Sequence, residues 1–185
     1  MSNQNVENAQ GAAPEPERGS WLSEMIQSVL PALVIVVVVN LFIAQATRVE
    51  GQSMEPNLHN NERLIIEKVS YHFRQPARGD IVVLKPQQEG SVSLIKRVIG
   101  LPGETVEIHD DHVLINGQPL QEDYLTEPTL GDMTARVVPP EHVLVLGDNR
   151  DASNDSRSFG MIPYADLVGR AWFRYWPLQD IGLVH

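Results

Sequence analysis

The chain has 185 residues, 42% of them hydrophobic, and 14 Lys+Arg against 24 Asp+Glu leave it a net charge of −10 at pH 7. That length suits one ordinary domain with its own core plus an appendage, and so acidic a balance argues against a protein whose main work is gripping phosphate backbones. The absence of cysteine excludes a Cys nucleophile, thiolate zinc sites, Fe–S clusters and disulfides.

Residues 1–20 are rich in Asn, Gln, Glu, Ala and Pro with almost nothing apolar. Burial there cannot offset the entropy of ordering, which predicts a disordered acidic tail. Residues 21–47 change abruptly: Met25 to Thr47 carries no charge, and Val29 to Val39 is unbroken apolar sequence. As a helix this stretch reaches about 34 Å, enough for a hydrocarbon layer of roughly 30 Å, which predicts one transmembrane anchor in a lipid bilayer. Trp21 sits where an interfacial aromatic belongs. Two alternatives compete. A buried core helix fits poorly because the run is apolar all round, whereas Ala44-Gln45-Ala46 has the A-x-A form of a signal-peptide cleavage site. The acidic leader and the length of the run favour a retained anchor. Arg48, Arg63 and Lys68 beyond the run against Arg18 before it lean weakly towards a cytoplasmic C-terminal domain.

After Arg48 the texture is β. Strands are predicted at Arg63–Val69, Asp80–Leu84, Ser91–Ile99, Thr105–Ile108, His112–Ile115, Val143–Leu146 and Leu167–Trp176. His109-Asp110-Asp111 turns a hairpin and Asn116-Gly117 another turn. Residues 48–185 are therefore expected to form an all-β domain. Its aromatic strand, Ala171 to Pro177, is expected chiefly in the core, with contact to lipid headgroups as the alternative.

Three segments make unusual residue choices. In Gly51-Gln52-Ser53-Met54-Glu55-Pro56, Gly51 permits close backbone approach and Pro56 fixes a turn, so Ser53 could be presented among free amides. A serine in a loop is ordinarily just a turn residue. In Ser91 to Gly100, alternation places Lys96 on one face with Val92, Leu94 and Val98. Lysine is rare there unless paired or deprotonated; the bland alternative is an edge lysine snorkelling to water. The third segment, Leu146 to Gly160, alternates opposite charges with turn formers, and Asp155 and Arg157 are spaced to pair.

These segments, GQSMEPNL, IKRVIGLPGE and LGDNRDASNDSRSFGMIP, resemble the type I signal peptidases (leader peptidases), membrane-bound Ser/Lys endopeptidases of peptidase family S26. The resemblance covers Val49 to Arg170, with the anchor in the family's position. It implies a small, mainly β, barrel-like Ser/Lys peptidase domain after one N-terminal transmembrane helix. It makes Ser53 the nucleophile and Lys96 the general base, with Ser153 orienting the lysine amine. Asp155 and Arg157 match a structural ion pair, and Asp148, Asn149 and Arg150 match positions that shape the site. The Ser53 N–H should be one oxyanion donor; where some members add a serine hydroxyl, this chain has Gly51, and Asn57 replaces a usual threonine. The implied substrates are preproteins with small residues at the first and third positions before the cut, and the export machinery is a further implied partner. No cofactor, metal or nucleic acid is implied. The family's orientation is a single-pass protein of the cell membrane, N-terminus cytoplasmic and catalytic domain outside, against the weak charge lean.

The histidines His59, His72, His109, His112 and His142 have no local support for a Ser-His-Asp site and read as surface or turn residues. Two rival functions remain at this level: a self-cleaving regulator with the same Ser/Lys core, and a membrane-tethered β module that binds a partner without catalysis.

Overall fold

The structure, a computed structural model, describes residues 20–86 and 92–185. The chain divides after Val37 into two compact units. Apart from Ser20, the expected tail lies outside the described residues, as does Ser91. The first unit is the body of helix α1, Ser20–Val38. Ser23–Ile43 is long and apolar enough to cross a membrane, and none of it is buried.

From Val39 to Ile43 the helix widens into a π turn and ends, four residues short of the expected Thr47. Helix ends leave carbonyls without partners. Here Lys68 takes two of them, its N–H on Ile43 O at 2.9 Å and its Nζ on Asn40 O at 3.0 Å. Ala44–Arg48 becomes strand β1 instead, antiparallel to β2, Arg63–Glu67, over all five residues. A partner strand that satisfies the main chain thus replaces the last turn of helix.

After the short helix α2, Ser70–Phe73, come β3, Ile81–Leu84, and β4, Leu94–Gly100. The hairpin β5, Thr105–His109, with β6, His112–Ile115, is followed by β7, Gln118–Pro119, and β8, Met133–Val137. Then follow β9, His142–Leu146, helix α3, Ser156–Phe159, β10, Ile162–Pro163, β11, Leu167–Trp176, and β12, Gly182–Leu183. The fold is mainly β. A curled eight-stranded half-barrel runs β1-β2-β11-β3-β4-β9-β10, with β12 on β11, and a four-stranded sheet runs β7-β6-β5-β8. Among the described residues all strand pairings are antiparallel. Sequence periodicity gave no hint of β8, whose Thr134 to Val137 are exposed and present no apolar alternation.

β4 is an interior strand of the large sheet, bonded to β3 on one side and β9 on the other. From Ile95 to Gly100 every residue is buried, on both faces. The odd face carries Ile95 into a cluster with Met54, Leu58, Leu64 and Ile81, and Ile99 into another with Val106, Ile108 and Leu144. The even face puts Val98 with Val82, Val143 and Val145. Lys96 and Arg97 therefore sit inside, on opposite faces.

The aromatic strand departs from expectation. Trp172 and Trp176 of β11 are each 47% exposed. Two register shifts against β2, between Ala171 and Phe173 and between Arg174 and Trp176, interrupt the pairing there. The far end of β11 is covered on its other edge by the two-residue β12, so these rings stay outside the core.

Gly169 marks where β11 and β2 approach most closely: an added Cβ would fall well inside 3.0 Å of the Glu67 carbonyl. Gly169→Ala should lower stability by about 1–3 kcal/mol, a shift of several degrees in thermal unfolding in detergent. Gly182→Ala, with nothing within 4 Å of its Cβ, should leave the transition in place.

Candidate active site

The loop between β1 and β2 is closed at its neck by the main chain, Val49 N–H to Glu62 O at 2.8 Å and Asn61 N–H to Val49 O at 2.9 Å. Within it, Met54 O accepts from the N–H groups of Asn57 and Leu58, at 3.0 and 2.9 Å. Met54 and Leu58 are buried in the core. Arg174 reaches across from β11 with both Glu62 carboxylate oxygens at 3.0 Å and Asn57 O at 3.3 Å. A loop pinned at its neck, core and back holds Ser53 in one place.

Lys96 is 1% exposed and stands opposite Val82 of β3. Its Nζ donates to Ser53 Oγ at 2.7 Å and to Ile95 O at 2.9 Å. Burial lowers its pKa from 10.5 to about 8, against smaller opposing pulls from Asp155 and Asp148. The register Arg97↔Leu146, Val98↔Val145, continued by one residue, sets Gly147 opposite Lys96. A Cβ on Gly147 would fall well inside 3.0 Å of both the Ser53 carbonyl and Ser153 Oγ. Glycine there lets three segments converge on the amine.

Arg97, the next residue, is equally buried but solves the problem differently. Its Nε and Nη2 hold both oxygens of Asp148, at 2.8 and 2.7 Å, and its guanidinium stacks 4.0 Å from the Tyr124 ring centroid. A guanidinium cannot shed its proton, so it takes a bidentate carboxylate and a π face. Asn57 joins this cluster through Nδ2, to Asp148 Oδ2 at 2.8 Å and Tyr124 O at 2.9 Å. Arg97 and Tyr124 are not singled out by the sequence as parts of the site, and Asn57 stands out there only as a departure from the first motif. The available signal was a pair of adjacent cations inside an apolar run.

The remaining motif residues form the frame of the loop after β9. Asn149 N–H donates to Ser53 O at 3.0 Å. Arg150 reaches Gly147 O at 3.0 Å, Glu122 Oε2 at 3.2 Å and Thr129 Oγ1. Asp155 caps α3 and accepts from Arg157 Nε and Nη2, each at 2.9 Å, and from Gly147 N–H at 3.1 Å. Burial alone would raise the Asp155 pKa; the hydrogen bonds from Arg157 and Gly147 more than offset it and keep the carboxyl below its usual range. Ser153 Oγ is buried without a hydrogen-bond partner, so its expected bond to the lysine amine is not formed here. Gly51 has φ +87°, a glycine conformation, and its N–H is taken by Asn60 Oδ1 at 3.1 Å. His59, His109 and His142 instead face Glu62, Asp110 and Pro140 O.

A hydroxyl bonded to a dry, half-titrating amine can lose its proton to that amine. The same burial has a stability signature. The amine binds a proton less readily in the folded chain, so stability should rise with pH from about 8 to 10.5 and be lowest below 8. The unfolding free energy of wild type minus that of Lys96→Met should therefore climb by roughly 3 kcal/mol across that window. A flat difference in denaturant titrations at pH 7 and 10 would contradict a desolvated Lys96.

The family model described as "Signal peptidase, peptidase S26" matches residues 22–176. The chain is 45% identical over 181 residues to the signal peptidase I of Leptolyngbya laminosa, covering 94% of this chain and 89% of the relative. It is 41% identical to the probable signal peptidase I-1 of a Synechocystis strain, covering 92% and 90% of the two chains. With the signal peptidase I P of Bacillus subtilis subsp. natto the identity is 35%, over 90% of this chain and 96% of the other. A match spanning anchor and β domain together places the chain in the signal peptidase family of serine peptidases, S26.

Proposed function

We propose that this membrane-bound serine peptidase removes N-terminal signal peptides from exported preproteins with Ser53 as nucleophile and Lys96 as general base. The observation that carries this reading is the 2.7 Å bond from Ser53 Oγ to a lysine amine sealed from water with no carboxylate bonded to it. With its pKa at about 8, roughly a tenth of the amine is neutral at pH 7. Neutral Lys96 takes the Ser53 proton as the oxygen attacks the scissile carbonyl. The ammonium then protonates the leaving amine, and water, deprotonated by the same lysine, hydrolyses the acyl-enzyme.

The Ser53 N–H, which has no acceptor among the described residues, supplies one oxyanion donor, a group whose loss costs about 3 kcal/mol in such sites. Gly51 contributes shape rather than an amide, its N–H being held by Asn60. The buried Ser153 hydroxyl, beside Asp155, is the orienting group proposed for the lysine amine. Asp148, Asn149, Arg150, Asp155 and Arg157 keep the two loops in register. Substrate adds as a strand to the outer edge of β1, which among the described residues pairs only with β2 and leads into the Ser53 loop. Small residues at the first and third positions before the cut, delivery by the export machinery, residence in the cell membrane and a catalytic domain outside the cytoplasm complete the proposal.

On a preprotein with an Ala-x-Ala site in detergent, Ser53→Ala and Lys96→Met should each lower kcat/KM by roughly 10⁴-fold or more while thermal unfolding persists. Cleavage retained in either variant would overturn the assignment. The rate should rise with pH through about 8, its acidic limb reporting Lys96. In sealed vesicles carrying the protein, added protease should digest the β domain only from the extracytoplasmic side; digestion solely from the cytoplasmic side would reverse the orientation.

A further inference from the structure

One cavity of about 300 Å³ lies away from the Ser53–Lys96 pair, where the chain leaves its apolar helix and enters the β domain. Lys68 and His72 line it, and none of its lining residues is a carboxylate, in a chain whose net charge is −10. Lys85, at its rim, donates through Nζ to the carbonyl of Ala165, another lining residue. Tyr164, also in the lining, has a buried hydroxyl with no hydrogen-bond partner. An orphaned buried donor costs free energy unless an acceptor reaches it. Beyond Tyr164 a second cavity carries Arg74 and Glu141, the one carboxylate near this hydroxyl.

The apolar side of the same cavity is formed by Leu41 and Phe42, 61% and 64% exposed, with Leu167. Leu41 and Phe42 belong to the segment Ser23–Ile43 that is suited to a bilayer. Cations, a free hydroxyl donor and exposed apolar side chains continuous with the membrane segment are together what the anionic headgroup and upper acyl chain of a phospholipid would meet. We propose that this cavity binds one anionic membrane lipid. Its phosphate lies between Lys68, Lys85 and the Tyr164 hydroxyl, and its acyl chain lies on Leu41 and Phe42. A soluble phosphate would use the same cations but gain nothing from Leu41 and Phe42.

The test is native mass spectrometry of the full-length protein in detergent, titrated with dioleoylphosphatidylglycerol, dioleoylphosphatidylcholine or inorganic phosphate. One phosphatidylglycerol should bind at least tenfold more tightly than phosphatidylcholine, and about fivefold should be lost per lysine removed in Lys68→Gln and Lys85→Gln. Tyr164→Phe, which removes only the hydroxyl, should weaken phosphatidylglycerol several-fold and leave phosphatidylcholine unchanged. All three variants should cleave peptide at the wild-type rate in lipid-free detergent, because none touches Ser53 or Lys96. Equal binding of the two lipids, a preference that survives both lysine substitutions, or binding of inorganic phosphate as tight as that of the anionic lipid would each overturn the proposal.

Discussion

Two consecutive cations buried in an interior strand of the sheet are the constraint around which this domain is organised. A charge in a dry interior has two outlets, losing the proton or acquiring a partner. Lys96 leans to the first, because an ammonium is titratable and burial brings its pKa down to about 8 against the pull of Asp155 and Asp148. Arg97 cannot, and takes the second through Asp148 and Tyr124. Strand alternation keeps the two solutions on opposite faces, so Asp148 neutralises Arg97 without capturing the lysine. Exchanging the two residue types would defeat both solutions.

The rest of the site follows from meeting those two demands. Asp148 has to sit under Arg97, which fixes where the chain leaves β9. From that point Asn149 holds the Ser53 carbonyl and Asn57 ties the Ser53 loop back to Asp148. Gly147 contributes by having no side chain, since a methyl group would collide with Ser53 and Ser153 at once. Asp155, Arg157 and Arg150 then brace the loop against its own backbone and against Glu122. Each of these is a short-range bond, yet together they hold a serine and a lysine that are 43 residues apart in the chain within hydrogen-bonding distance.

Much of this was visible in the sequence where chemistry and position disagreed. A lysine among valines and an uncharged run long enough for a bilayer both announce themselves, and the strands around them alternate or run apolar. Asn57 and Tyr124 did not, because their importance lies in contacts distant along the chain, from Asn57 to Asp148 91 residues on and from Tyr124 back across β5–β7 to Arg97, which local patterns do not encode. The end of the anchor was misplaced because uncharged sequence says where a helix can run but not where a neighbouring strand will claim the backbone. The tryptophans of β11 lie exposed while Phe173 and Tyr175 are partly buried, because alternation separates two faces without saying which of them meets the core.

The pairing of β1 with β2 has a consequence for the lifetime of the molecule. Ala44-Gln45-Ala46 is spelled like a processing signal, and a peptidase with the proposed preference for small residues would be its own potential substrate. Within β1 these three residues are already paired with Glu67, Ile66 and Ile65 in turn, so severing the chain there first requires this edge of the sheet to peel open. Loss of the anchor would then be timed by local unfolding rather than by catalytic turnover, and any substitution that loosened β1 would shorten the enzyme's residence at the bilayer before it altered its chemistry.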